Sequence, residues 1–93
     1  MAFEYQEEEL VEVLDDQAVE EGKVLVVFND DFNTFDHVIN TLVKVCKHEI
    51  NQAEQCTLLI HFKGKCKVKG GSYSFLKPMR EGITDAGINA TIV

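Results

Sequence analysis

The run VLVVF at 24–28 leads straight into NDDFNTFDHVI at 29–39, and the change of pattern at that junction decides how the chain folds. A short apolar run of β-branched and aromatic residues, bounded by Gly22 and by Asn29-Asp30-Asp31, predicts a buried central strand over Lys23–Phe28. It is too short to be a helix. Phe35, Val38, Ile39, Leu42, Val43 and Cys46 then recur at helical spacing, with Asn33 or Thr34 as N-cap, so one face of this helix must be buried. The strand thus delivers an amide and two carboxylates to the mouth of a helix whose first turns carry Phe35 and Val38. That spacing sets a polar clamp beside an apolar slot.

Downstream, Asn51 with Glu54 three residues on predicts the start of a second helix, with Ala53, Cys56, Leu59 and Ile60 inward, His61 in its last turn and Gly64 as its stop. Lys63, Lys65, Lys67 and Lys69 alternate with Gly64, Cys66 and Val68, which predicts a second strand with one basic face. Gly70-Gly71 is expected to break the chain. Pro78 is tolerated in a first helical turn, which places a third helix from near Ser74 to Ala86, capped by Gly87. Ile88–Val93 alternates again and reads as a third strand, giving the order β-α-α-β-α-β of an α/β domain.

Ninety-three residues, 45% hydrophobic and with one proline, suffice for a single core and no more. The net charge of −7 is unevenly spread: residues 1–21 hold nine acids and no Lys or Arg, and the remainder holds seven acids against nine bases. The expected organisation is therefore a flexible acidic tail over 1–21, with Leu10, Val11, Val13 and Leu14 able to grip a partner, and a folded core over 22–93. No apolar stretch approaches the roughly 20 residues of a membrane helix and the acidic start lacks a secretion signal, so a soluble cytoplasmic protein without membrane partners is expected. Cys46, Cys56 and Cys66 are odd in number and show no CxxC pair, so reduced thiols are expected. No spacing pairs a cysteine with a histidine as nucleophile and base, and Cys46, His48 and Cys56 lack the paired spacing of a zinc site. The expectation is a receptor without cofactor or metal, not an enzyme. His37 and His48 read as surface or helix-end residues.

The pairing of NDDFNTFDHVI at 29–39 with LIHFKGK at 59–65 closely resembles the ClpS family, adaptors of the bacterial Clp protease. The resemblance covers most of residues 23–93 and implies a three-stranded antiparallel sheet packed on three helices, preceded by an extension of variable length. It implies capture of proteins that begin with Leu, Phe, Tyr or Trp and their delivery to the N-terminal domain of a Clp-type AAA+ unfoldase. Carried onto this chain, the α-amino group falls to Asn29, Asp31 and His61, the main chain of the next residue to Asp30, and the first side chain to Phe28, Asn33, Phe35, Val38 and Thr57. Phe35 stands where many members have methionine, and Thr57 where a larger apolar residue is common, so the entrance is expected to be stiffer and the order of preference altered.

The residue chemistry is consistent with that implication. A free α-amine is largely cationic at neutral pH, carboxylates meet its charge, and an amide oxygen and an unprotonated imidazole nitrogen accept its N–H bonds. Acid should therefore weaken binding by protonating the imidazole. The rival reading is an interaction domain that uses the Lys63–Lys69 face on RNA or a ribosomal partner; the C-terminal domain of the large-subunit stalk protein has a similar fold. Those lysines lack interleaved exposed aromatics and the acidic tail opposes nucleic acid, so no nucleic-acid partner is expected.

Overall fold

β-Branched residues hold Lys23–Phe28 extended as strand β1, at the centre of a three-stranded sheet ordered β2-β1-β3. The computed structural model describes residues 22–93; the acidic segment 1–21 lies outside the described residues. β2 (Lys65–Gly71) and β3 (Ala90–Ile92) both run antiparallel to β1. The helices are α1 (Phe35–Cys46), α2 (Ile50–Lys63) and α3 (Tyr73–Asp85), in the expected β-α-α-β-α-β order.

Alternation sorts the sheet into two faces. Leu25 and Val27 point to the helices and join Leu42, Ala53, Cys56, Ile60, Val68, Leu76 and Ile83 in one buried cluster. Val24, Val26 and Phe28 alternate to the other face, where the register sets Val26 against Lys67 and Thr91 and Phe28 against Lys65. A bulge between Leu25 and Val26 shifts the β1–β2 ladder by one residue.

Several boundaries depart from the sequence expectation. α2 begins at Ile50, not Asn51, because Glu49 and Gln52 form the reciprocal capping box, with Gln52 Oε1 accepting the Glu49 N–H at 3.4 Å. Lys63 ends α2 instead of opening β2. Ser72 is the N-cap of α3, accepting the Phe75 N–H at 3.1 Å, which leaves Pro78 in the second turn. The carbonyl that Pro78 cannot satisfy is that of Ser74, an exposed residue that water reaches. β3 is confined to Ala90–Ile92, the preceding Ala86–Asn89 stretch being the turn out of α3. His48 is no surface residue: it is 4% exposed and its Nε2–H donates to the Val68 carbonyl at 2.8 Å, tying the α1–α2 connection to β2. Behind it the three cysteines are buried and form no disulfide, and the Cys66 thiol, together with His48, draws the Cys56 thiol below its ordinary range.

Gly70 and Gly71 do not break the chain; both lie in β2, paired with Val24 and Lys23. Gly71 has φ +148°, and a Cβ there would stand 2.6 Å from Cδ2 of the Phe75 ring, so the glycine lets the first turn of α3 close over the strand. Gly71→Ala is expected to cost about 2–3 kcal/mol, against about 1 kcal/mol for Gly87→Ala, which has φ +86° but open space around its Cβ position. Urea midpoints of the two variants measure the difference.

Candidate functional site

The end of β1 is fastened to the end of α2 by one main-chain bond, Asn29 N–H to the Gly64 carbonyl at 2.9 Å. Gly64 can take this role because it closes α2 in the left-handed conformation (φ 91°), its own N–H returning to Ile60. His61 sits in that last turn, and Phe35, the first residue of α1, meets it edge-on with ring centroids 5.3 Å apart. The Phe62 ring approaches the other side of the imidazole at 5.0 Å. Strand end, helix end and helix start therefore meet at one place.

Among the described residues, the side chains of Asn29, Asp31 and His61 make no hydrogen bond or ion pair, and all three residues are exposed. Their donors and acceptors face solvent. Asp30 behaves differently. Its Oδ1 accepts the Phe32 and Asn33 N–H groups at 2.9 and 2.8 Å, and Oδ2 accepts Asn33 Nδ2–H at 2.6 Å, so Asp30 folds the loop on itself. The Asn33 N–H, reinforced by the Asn33 side chain, the Phe32 N–H and the positive field of His37, holds the Asp30 carboxyl below 3.8 against the opposing effect of burial.

A folded-state carboxyl below its unfolded value stabilises at pH above that value and loses the contribution as pH falls through the folded one. Exchange protection of the Phe32 and Asn33 amides is thus expected to fade in the range below pH 3.8. Asp30→Ala should remove both the protection and its pH dependence, as amide-exchange NMR would record.

The loop is also braced from the far end of the chain. The second Asn33 Nδ2 hydrogen reaches the Gly87 carbonyl at 2.9 Å, and His37 Nε2 donates to the Ala86 carbonyl at 2.8 Å. His37 therefore ties α1 to the exit of α3 and is not merely a surface residue. Neither contact has a signature in spacing: the Ala86–Gly87 turn was expected as a helix end, but not its carbonyls as a brace for Asn33 and His37. Thr34 is the N-cap of α1, accepting the His37 N–H at 3.1 Å.

Of the residues expected to surround an apolar side chain, Val38 (8% exposed) and Thr57 (2%) are buried on α1 and α2, which pack against each other. The Thr57 hydroxyl is satisfied by the Ala53 carbonyl at 2.7 Å, so its methyl is what remains for an apolar neighbour. Phe35 is 40% exposed and stands at the rim. Asn33, half-buried, spends both amide hydrogens on Asp30 and Gly87 and acts as a brace. Phe28 is not brought to this group: strand alternation assigns it to the outer sheet face, opposite Lys65.

The comparisons with known proteins agree with the geometry. The sequence profile of the family described as ATP-dependent Clp protease adaptor protein ClpS matches residues 19–90. The chain is also 30% identical over 86 residues to the E3 ubiquitin-protein ligase UBR1 of Homo sapiens, and equally to that of Mus musculus. Those alignments take in 92% of this chain but 5% of either ligase, so they concern one small domain of a much longer protein. A three-stranded sheet on three helices, with the Asn-Asp-Asp loop fastened to the His61 turn and the family profile running through both, makes this chain a member of the ClpS family.

Proposed function

We propose that this domain captures polypeptides by their first residue: a free α-amine on Asn29, Asp31 and His61, and a bulky Leu, Phe, Tyr or Trp side chain between Phe35, Val38 and Thr57. The observation that supports the reading is the junction of strand and helix ends, where the Asn29 N–H bonds the Gly64 carbonyl three residues after His61, together with the side chains of Asn29, Asp31 and His61, which make no hydrogen bond among the described residues. Internal peptide bonds offer no cation to such a clamp, whereas a chain terminus does. Burying a large apolar side chain adds about 1.5–3 kcal/mol. A branch at the β-carbon meets the wall sooner than Leu or an aromatic ring does, which gives size selection. The chemistry is binding alone, with no covalent step, metal or cofactor required.

The bound polypeptide is then handed to a Clp-type AAA+ unfoldase through that machine's N-terminal domain, in the cytoplasm. The family description supports the adaptor role, and a domain held in common with a ubiquitin ligase fits a reader of degradation substrates better than a part peculiar to one protease. Residues 1–21 serve the hand-over as the segment the unfoldase engages. Deleting them should leave peptide affinity unchanged and impair degradation of a Leu-led substrate by the unfoldase and peptidase together; equal degradation by the shortened chain would refute this role. The capture itself is tested by titrating peptides that differ only in their first residue and in whether its nitrogen is blocked. Equal affinity for Leu- and Ala-led peptides would overturn the reading.

A further inference from the structure

All three helices contribute to the cluster on one side of the sheet, and no described element covers the other side. That outer face is unusual for a solvated surface. Its central row is Val24, Val26 and Phe28, none of them polar; Val24 and Phe28 are half-buried and Val26 is only 6% exposed although no helix packs on it, and Val93, 62% exposed, is bonded across from Val24 through both main-chain groups. Lys65, Lys67 and Lys69 flank the row along β2. An apolar strip bordered by ammonium groups fits an occupant that is both apolar and acidic.

We infer that the chain's own acidic segment 1–21 docks on this outer face of the sheet, its Leu10, Val11, Val13 and Leu14 against Val24, Val26 and Phe28 and its carboxylates along the lysines of β2. Charge is the first argument: nine acids and no Lys or Arg meet a face whose ionic side chains are lysines. Reach is the second. The segment joins β1 at Gly22, whose φ of +74° allows the chain to turn there, and Leu14 precedes it by eight residues. Extended, those residues span about 26 Å, more than the roughly 20 Å length of β1. Tethering is the third, because a short linker holds the segment at an effective concentration near millimolar, where individually weak ion pairs suffice. A second copy is a poorer occupant: face-to-face pairing would bring two lysine rows together, in a chain of net charge −7 that already repels its like. The inference concerns the face away from the Asn29–His61 site and stands apart from the capture of degradation substrates. Its consequence is a segment parked at rest that a partner must peel off before it can be used.

Zero-length carbodiimide coupling of the full chain, mapped by mass spectrometry, tests the docking. Amide links from carboxylates in 1–21 should concentrate on Lys65, Lys67 and Lys69, be independent of protein concentration, and diminish strongly in half-molar salt. The combined change Leu10→Ser, Val11→Ser, Val13→Ser and Leu14→Ser keeps every reacting group and touches none of the described residues, and it should lower those links about tenfold. Links spread evenly over Lys44, Lys47 and Lys77 would overturn the inference. So would links that join isotopically distinct chains, which would assign the face to a second copy, or a yield unchanged in the serine variant.

Discussion

Acetylating the first nitrogen of a Leu- or Phe-led peptide is expected to lower its affinity for this domain by about tenfold or more. The modification removes the positive charge and leaves one N–H, so under the proposed capture Asp31 would lose its counter-charge and Asn29 and His61 would lose bonds to accept. Asp31→Ala and His61→Ala should each cause a drop of similar size with the free-amine peptide, since a charge-assisted hydrogen bond is worth about 1.5–3 kcal/mol. Both residues are exposed and their side chains hydrogen-bond to no other described residue, and His61 meets the exposed Phe35 and Phe62 rings edge-on, so their removal strands no buried polar partner and should shift the unfolding midpoint little. Asp31→Asn separates charge from hydrogen bonding by keeping the shape and losing the charge. Isothermal titration supplies the affinities and urea unfolding the control. An acetylated peptide that binds as tightly as the free one would end the amine-capture reading.

Leu76→Ala is expected to remove about 2–5 kcal/mol, the largest stability loss of any substitution considered for this chain. α3 is poorly suited to stand alone: Pro78 interrupts its hydrogen bonds, Gly82 weakens its interior, and its Lys77–Glu81 pair at 3.1 Å is exposed and worth a few tenths of a kcal/mol. What holds it is the burial of Leu76 and Ile83, each 0% exposed. A domain this small has a total stability of about 4–11 kcal/mol, so the loss is a large share of it. The effect should also reach the site, because α3 leads directly into the Ala86–Gly87 carbonyls that brace Asn33 and His37. Thermal unfolding should shift down by more than ten degrees or so, and peptide affinity measured well below that transition should fall as well. Unchanged affinity in the folded fraction would show that the brace does not govern the loop.

Much of this was legible in the sequence because the signals are local. The β-branched run of β1, the helical spacing from Phe35 to Cys46 and the Gly64 stop each act within a few residues, and the elements lie in the order they predict. The meeting of the Asn-Asp-Asp loop with the His61 turn was legible only through a resemblance joining two distant motifs, since the Asn29–Gly64 bond spans residues that no local period relates. The failures share that cause. Glu49 outcompeted Asn51 as a cap because its partner Gln52 was in register. Gly70 and Gly71 were taken for a break, yet cross-strand pairing with β1 held them extended. His48 found a carbonyl on β2 that its neighbours in sequence could not disclose, and Phe28 was placed in the pocket because its position in the pleat depends on the sheet's register.

The strand-to-helix fastening at Asn29 is made by the peptide group, not by the asparagine amide. Any residue except proline supplies the same N–H, so the scaffold tolerates wholesale exchange of the chemistry displayed there. Protein engineers can therefore change the side chain displayed at position 29, from amide to apolar or charged, without displacing the frame that presents it.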